Sequence, residues 1–318
     1  MTIRSPSPAS NQRAPYATPL SEDASVAAIR LGLASVSADP FLTPADWDEE
    51  LAGDWAGRLD QRAADDMQVR LRLRVCRLAG LRPGGHAVEL GCGTGPLLAG
   101  LADAVGPSGT VLGVEPQPVF AERARTRLAG HPAVTVHTGP AEALPVADAS
   151  ADAVLAQTVL IHLAPVTLTA VLAEARRVLK PGGRLVSVDQ DAGTRVIDHP
   201  DRQVTSAIIN YACGHLSADG WLGRRLPRLL RSAGFSVESV EIHPHLSTGS
   251  DGYMFAGMIR FAQAAMDGGA ITPQAGERWI GQLHELAEAG SFLASVNYFV
   301  TAAIAGGQAV AGRSAAAR

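Results

Sequence analysis

Short β-branched runs alternate with longer helix-forming runs through the middle of this chain. Strands are predicted at HAVEL, TVLGVE, VTVHTG, ADAVLAQ and GRLVSVDQ (86–90, 110–115, 134–139, 151–157 and 183–190). The runs at 96–105, 117–129 and 167–180 between them have the spacing of helices. Because strands that alternate with helices are joined by right-handed crossovers, they form a parallel sheet covered on both faces. The alternation therefore predicts a doubly wound α/β core.

Two further strands are predicted after residue 220, one within 220–244 and one at 295–306. The span of 251–290 between them carries Met and Phe residues at helical spacing, and a span of that length should contain its own helices. We interpret it as a helical lid insertion. The predicted organisation is a disordered tail (1–20), an N-terminal helical cap (21–82), the main core (83–250), the insertion (251–290), a final core strand (291–306) and a C-terminal tail (307–318).

Composition excludes several function classes. The net charge of −4 provides no basic field to hold a polyanion, so we expect no nucleic-acid partner. Cys76, Cys92 and Cys213 are far apart and form no C-x-x-C pair, so no metal site is predicted. The first twenty residues lack the apolar segment of a signal peptide, and no run is apolar enough to cross a membrane. The expected location is the cytoplasm.

A glycine-rich turn, VELGCGTGPLL at 88–98, follows the first strand. A strand ending at Leu90, a turn over 91–95 and a helix from Pro96 would place backbone N–H groups beside a ligand at the carboxyl edge of the sheet. The spacing is G-x-G-x-G, and Pro96 occupies the position where the dinucleotide pattern G-x-G-x-x-G has its third glycine. The dinucleotide pattern is therefore not met.

Two carboxylates indicate the charge and class of the ligand. Glu89 stands at the end of the first strand, where it would repel a pyrophosphate and favour a cation. Glu115 ends the second strand, twenty positions after Gly95, where a carboxylate can accept both hydroxyls of a ribose. Together they predict a cationic nucleoside.

These motifs resemble those of class I S-adenosylmethionine-dependent methyltransferases, in the small-molecule group related to the ubiquinone and menaquinone C-methyltransferases. Four motifs occur in the family order between residues 84 and 240: VELGCGTG, GVEPQ, GPAEALP and VLKPGGRLVSVD. The resemblance implies a seven-stranded, mostly parallel, Rossmann-like sheet with N-terminal helices and S-adenosylmethionine as cofactor. The cofactor-binding residues that it implies are Glu89, Gly91, Cys92, Gly93, Gly95, Glu115, Pro116, Ala141, Glu142 and Gln157.

One position departs from the family pattern. Relatives carry an acidic or amide residue before the Ala-Glu pair to accept the adenine amino group, and this chain has Pro140 there. Proline offers neither a side-chain acceptor nor a backbone donor. Adenine selection is then left to the backbone of Ala141, to Glu142, or to shape.

The resemblance places the acceptor over the carboxyl ends of the fourth and fifth strands. His162 and Asp191 are the candidate catalytic bases, although a histidine there is also a structural feature of the family's helix and the aspartate could cap a loop. The Met and aromatic stripe of 253–266 is read either as core or as a lid, with Trp47 and Trp55 covering the site from the N-terminal side. The predicted reaction is methyl transfer to oxygen or nitrogen, rather than carbon, of a mostly apolar small molecule.

Two other function classes stay open at this point. One is a protein that binds S-adenosylmethionine without transferring its methyl group, as a cyclisation catalyst, sensor or scaffold. The other is a nicotinamide-dependent oxidoreductase, which Pro96 and Glu89 disfavour. The expected partner is a small-molecule acceptor, and a homodimer is left open.

Overall fold

The computed structural model describes residues 39–250 and 252–306, apart from the side chain of Pro40. The predicted tails and the first part of the predicted N-terminal cap lie outside the described residues. Among the residues described, no helix is both long and apolar enough to span a bilayer.

A seven-stranded sheet with the order β3-β2-β1-β4-β5-β7-β6 forms the centre of the fold. Strands β1 to β5 run parallel, and β7 is antiparallel to both of its neighbours. This arrangement confirms the predicted doubly wound, mostly parallel Rossmann-like class. The strands are β1 (His86–Leu90), β2 (Thr110–Glu115), β3 (Val134–Thr138), β4 (Ala151–Gln157), β5 (Leu179–Ile197), β6 (Phe235–Ser247) and β7 (Ala294–Ala305).

Nine α-helices of the described chain surround this sheet. They are α1 (Glu49–Ala64), α2 (Asp66–Ala79), α3 (Leu98–Val105), α4 (Pro118–Arg127), α5 (Pro165–Val178), α6 (Arg202–His215), α7 (Leu222–Ser232), α8 (Tyr253–Asp267) and α9 (Pro273–Glu288). Short 3₁₀ helices occupy Pro40–Leu42, Pro44–Asp46 and Leu160–His162.

Local sequence explains the break between the first two helices. Asp65 caps α2 by accepting hydrogen bonds from the backbone N–H groups of Met67 and Gln68, at 2.9 and 3.3 Å. Gly80 ends α2 in the left-handed region, with a φ of 64°. The Asp65 cap separates α1 from α2, whereas Gly80 terminates α2, and α1 packs against α4.

The core lies on both faces of the sheet, as the doubly wound class requires. One face is covered by α2, α3, α6, α8 and α9, with Leu71, Leu101 and Trp279 among its buried side chains. The other is covered by α5 and α7, with Leu172 and Leu226 buried there. A third apolar cluster joins Trp47 to Phe120 and fixes the N-terminal segment over the sheet edge.

Two predicted boundaries differ from the structure. Helix α3 begins at Leu98, because Pro96 and Leu97 still belong to the turn. The predicted KPGG turn at 180–183 lies within β5 as an irregularity, where the pairing with β4 shifts register and Gly182 has a φ of 82°. Strand β5 is also longer than predicted because its second half pairs with β7.

The stretch between β6 and β7 contains α8 and α9, which matches the predicted helical insertion in the fold class. The Met and aromatic stripe divides between two environments. Phe255 packs edge-on against Phe292, with ring centroids 5.1 Å apart, whereas Met254, Met258 and Phe261 line a cavity above the sheet. The stripe is therefore partly core and partly cavity wall.

Candidate active site

A cavity of about 940 Å³ lies at the carboxyl edge of the sheet. Its walls come from α1, from the segments that follow β1, β2 and β4, and from α8. Its size is within the range of small-molecule sites. The sequence-predicted residues that line it are Glu89, Gly91, Cys92, Gly93, Glu115, Pro116, Ala141, Glu142, Gln157 and His162. Gly95 and Asp191 do not line it.

The glycine turn needs its glycines for two different reasons. Gly91 has a φ of 58°, and a Cβ there would lie 2.7 Å from Cγ2 of Val159, so no other residue fits. Gly95 has a φ of 81°, and its Cβ would lie 3.0 Å from Cβ of Ala124 on α4. Gly95 therefore permits close packing of α4 against the turn, and its predicted cofactor contact is not supported by its position.

Glu89 is a buried carboxyl group with one oxygen, Oε2, that has no hydrogen-bond partner. Burial raises its pKa well above the ordinary value, the neighbouring Glu115 raises it further, and Arg72 opposes the change. An orphaned carboxylate oxygen of this kind is stabilised by a cationic ligand. The observation fits the cation inferred from the sequence.

Glu115 is also buried, but both of its oxygens are held by backbone donors. Oε2 accepts from the Gly93 N–H at 2.8 Å, and Oε1 accepts from the Gln117 N–H at 2.9 Å. Burial raises the pKa of Glu115 to about 7, although these two hydrogen bonds act in the opposite direction and limit the rise. Each oxygen keeps a second lone pair for a ligand hydroxyl.

The raised pKa of Glu115 predicts a pH dependence of cofactor binding. In the ribose-binding role predicted from the sequence, only the ionised carboxylate would accept both hydroxyls, so binding would favour the form that dominates above a pKa of about 7. The affinity for S-adenosylhomocysteine should therefore rise with pH and level off above neutrality, changing by up to about tenfold per unit below it. Calorimetry across this range measures the slope. Glu115→Gln should flatten the curve, and an unchanged slope in this variant would contradict the assignment.

His162 lies in the 3₁₀ helix after β4 and forms a pair with Asp39. Its Nδ1 is 2.7 Å from Oδ2 of Asp39, a buried carboxylate that also accepts from the N–H groups of Phe41 and Ala218 at 2.9 and 3.2 Å. A carboxylate at Nδ1 favours the tautomer with its proton there, which leaves Nε2 as an acceptor. Asp39 was not predicted as a site residue, since the two partners lie far apart in sequence.

The structure does not support Asp191 as a catalytic base. Its side chain is fully buried, and Nη2 of Arg224 donates to its Oδ1 at 2.7 Å, while Nε of Arg224 contacts its Oδ2. Successive residues of a strand face opposite sides of the sheet, so Gln190 faces the cavity and Asp191 faces away. Asp191 stabilises the packing of α7 instead.

A connected set of polar side chains lines one side of the cavity, and of its members the sequence analysis predicted only Gln157 as a site residue. Gln157 Nε2 donates to Gln68 Oε1 at 3.3 Å, and Gln68 Nε2 donates to the Tyr253 hydroxyl at 3.3 Å. The Tyr253 and Tyr298 hydroxyls lie 3.2 Å apart, and Gln190 Nε2 donates to Tyr298 at 2.8 Å. These residues come from α2, α8, β4, β5 and β7, so only the fold brings them together.

Several arginines that sequence reasoning also missed line the cavity. Arg58 and Arg62 lie four residues apart on α1, a spacing that places them on one helix face and was a signal available in the sequence. Arg72 of α2 donates to the Ala63 carbonyl at 2.7 Å and lies close enough to affect the pKa of Glu89. The cavity therefore holds cations as well as the two buried carboxylates.

Fold and site together define a Rossmann-like α/β protein whose ligand cavity lies where the strand order reverses, above β1 and β4. The comparisons with known proteins narrow this class. A family model for a methyltransferase domain matches residues 87–183. An uncharacterised protein in transposon TN4556 of Streptomyces fradiae is 36% identical over 258 residues, which cover 80% of this chain and 72% of the relative.

Two other similarities agree with that result. A ubiquinone/menaquinone biosynthesis C-methyltransferase of Burkholderia mallei is 29% identical over 203 residues, which cover 63% of this chain and 78% of the relative. A crystal structure of a Bacillus halodurans C-125 protein described as a methyltransferase shares the fold with a TM-score of 0.51. That match has 17% identity and covers 74% of this chain and 99% of the other.

The chain belongs to the class I S-adenosylmethionine-dependent methyltransferases, and it is related to the ubiquinone and menaquinone methyltransferases. It is accordingly an enzyme that uses S-adenosylmethionine as its cofactor.

Proposed function

We propose that this enzyme transfers the methyl group of S-adenosylmethionine to an oxygen or nitrogen atom of a mostly apolar small molecule inside the cavity described above. The observation that carries the proposal is that His162, which is paired with Asp39, lines the same cavity as Glu89 and Glu115. One cavity thus combines a base with a site for a cationic nucleoside.

The cofactor half of the cavity fits S-adenosylmethionine. When bound, the cofactor supplies an electrophilic methyl group on a positively charged sulfur. Glu89 would accept from the methionine ammonium group through its free Oε2, and Glu115 would accept the ribose hydroxyls. Arg72 would bind the methionine carboxylate, because it lines the cavity near Glu89. Buried charges on both sides would thereby gain partners.

The adenine base would lie against the loop after β3. Pro140, Ala141 and Glu142 all line the cavity there. Since Pro140 has no N–H, the donor and acceptor for adenine would come from the Ala141 backbone, with the exposed Glu142 carboxylate available to the exocyclic amine.

Methyl transfer by in-line displacement needs an attacking atom about 3–3.5 Å from the methyl carbon in a site from which water is excluded. Trp55 of α1 and Met254, Met258 and Phe261 of α8 would supply the apolar cover. His162 would remove the proton of a hydroxyl, or keep an amine neutral, through Nε2. A base of this kind favours oxygen or nitrogen over carbon, although the Burkholderia relative is named as a C-methyltransferase.

Calorimetric titration of the purified protein tests the cofactor half of the proposal. S-adenosylmethionine and S-adenosylhomocysteine should bind and NADH should not. Binding of NADH instead would support the oxidoreductase alternative. Incubation with methyl-labelled cofactor and a small-molecule extract should then place label in the extract. If the cofactor binds but no demethylated cofactor accumulates with any extract, the protein is a cofactor binder without transfer, and the proposed reaction is wrong.

The homodimer that the sequence analysis leaves open stays open. The exposed apolar residues Val240, Ile242 and Leu246 alternate along β6, which is an edge strand of the sheet. Light scattering gives the mass of the protein in solution and decides the oligomeric state.

A further inference from the structure

Two arginines face the cavity with only neutral hydrogen-bond acceptors. Nη2 of Arg62 donates to the Thr158 hydroxyl at 2.7 Å and lies 3.3 Å from the Tyr298 hydroxyl. Nη2 of Arg195 donates to Oε1 of Gln190 at 3.3 Å. Among the ion pairs found between described residues, none involves either arginine. Neither guanidinium group therefore contacts a carboxylate of the described chain, although the buried Asp189 is near enough for Arg62 to lower its pKa.

Each of these guanidinium groups also has an unused donor. The Nε atoms of Arg62 and Arg195 are both buried, and neither has a hydrogen-bond partner. A buried charge without a partner is costly, and an orphaned N–H of a charged group adds to that cost. Burial also holds the pKa of Arg195 below its ordinary value. An oxyanion is the kind of group that would satisfy such charged donors.

The two arginines are linked through a shared pair of side chains. The Tyr298 hydroxyl contacts Nη2 of Arg62 and accepts from Nε2 of Gln190 at 2.8 Å, while Oε1 of Gln190 accepts from Arg195. Both amide atoms of Gln190 are thus engaged. These hydrogen bonds hold the two arginines at the same part of the cavity, although Arg62 comes from α1 and Arg195 from the second half of β5.

The acidic and basic side chains of the cavity lie mostly on different segments, with Arg72 beside Glu89 as the exception. The acidic residues lie on the segments that the proposed function assigns to the cofactor or on the N-terminal 3₁₀ helix: Asp46, Glu89, Glu115 and Glu142. Arg58 and Arg260 line the cavity as well as Arg62 and Arg195. Burial lowers the pKa of Arg260, and repulsion by the nearby Arg58 lowers it further.

Apolar side chains adjoin the arginine pair. The guanidinium group of Arg195 lies over the ring of Phe261 at 4.6 Å from the ring centroid. Met254 and Met258 of α8 line the same cavity. A molecule with an anionic end at the arginines would therefore place its apolar part against α8.

We propose that Arg62 and Arg195 form a subsite for an oxyanion of the methyl acceptor, so that the acceptor is an amphiphilic molecule with a carboxylate or phosphate group on an apolar body. This inference rests on the proposed function, because it names the substrate class of that same site. Planar guanidinium groups match both oxyanions through paired N–H donors. The proposed subsite also changes the acceptor predicted from the sequence, which was a mostly apolar molecule, to an amphiphilic one.

The cofactor's own carboxylate is the competing occupant. Arg72 lies beside Glu89 and is assigned to that carboxylate, whereas Arg62 contacts Thr158, at the end of β4. The two assignments make opposite predictions. Arg72→Met should weaken S-adenosylhomocysteine binding, while Arg62→Met and Arg195→Met should leave it within about threefold of wild type.

The test uses three eight-carbon probes: sodium octanoate, octyl phosphate and octanol. Each is titrated calorimetrically into the full chain, with and without saturating S-adenosylhomocysteine. At least one anion should bind about tenfold or more tightly than octanol, and the stronger of the two identifies the oxyanion. Arg62→Met and Arg195→Met should each weaken the binding of that anion by about tenfold or more, and Arg195→Lys should weaken it by less.

Arg228→Met is the matched control, since Arg228 is an exposed arginine of α7 outside the cavity. It should leave all three affinities unchanged. Thermal unfolding of each variant checks its folding, and Arg195→Lys carries the test if a methionine variant fails to fold. Equal binding of octanol and both anions, or unchanged anion binding in the arginine variants, would overturn the inference. So would loss of S-adenosylhomocysteine binding in a folded Arg62→Met variant.

The proposed function fails separately from this inference. Absence of S-adenosylhomocysteine binding in wild type would reject the cofactor site, while the probe titrations without cofactor would still report on the arginine pair.

Discussion

Replacing His162 with asparagine is expected to lower kcat for methyl transfer by about 10²- to 10⁴-fold, the usual contribution of general acid–base catalysis. Asparagine keeps a polar side chain of similar reach beside Asp39 but has no basic nitrogen. The affinity for S-adenosylhomocysteine should stay within about twofold of wild type, because His162 is assigned to the acceptor and not to the cofactor. The rate is measured as S-adenosylhomocysteine formed with the acceptor found by label transfer.

Asp39→Asn is the informative companion variant. An amide in place of the carboxylate no longer favours the proton on Nδ1 of His162, and it leaves the N–H donors of Phe41 and Ala218 with a weaker acceptor. We expect a smaller loss of kcat than in His162→Asn and a shifted pH–rate profile, since Asp39 positions the base without touching the acceptor. A kcat unaffected by His162→Asn would show that positioning alone drives the transfer, and His162 would then be structural.

The second large effect is expected for Glu115→Ala, which should weaken S-adenosylmethionine binding by about tenfold to several hundredfold. Two losses combine in this variant. The ribose loses a charged acceptor, and the N–H groups of Gly93 and Gln117 lose the carboxylate that holds the glycine turn against β2. Calorimetry at a pH above the pKa of about 7 measures the effect with the wild-type carboxylate ionised.

Two comparisons separate these losses. Glu115→Gln keeps an oxygen acceptor at the same place, so it should bind the cofactor better than Glu115→Ala. Glu122→Ala removes an exposed carboxylate of α4 and should change nothing, which makes it the control for net charge. If Glu115→Ala binds S-adenosylmethionine as wild type does, the ribose assignment is wrong.

The cofactor half of the site was predictable because its residues belong to continuous segments. A strand followed by a glycine turn fixes Glu89, Gly91 and Gly93 relative to one another over a few residues, and the end of β2 fixes Glu115 next to them through parallel pairing. Local backbone geometry sets these positions. Gly95 shows the limit even here, since the same motif placed its α-carbon against α4 and not against the cavity.

The acceptor half was not predictable in the same way. Whether Gln190 or Asp191 faces the cavity depends on the register of β5 against β4 and β7, which no local pattern reports, and Asp191, the residue chosen from the sequence, does not line the cavity. The end of β5 was predicted too early for the same reason, because pairing with β7, about a hundred residues later, extends the strand.

By itself, the sequence determined the doubly wound class, the helical insertion and the cofactor motifs, because periodicity and turn chemistry act over short stretches of chain. Only the tertiary structure decided that Asp39 meets His162 and that Arg62 and Arg195 share one cavity without forming an ion pair with a carboxylate of the described chain. These contacts join residues more than a hundred positions apart. They depend on how α1, β5 and α8 pack over the sheet edge, because the whole fold sets how deeply each charged side chain is buried.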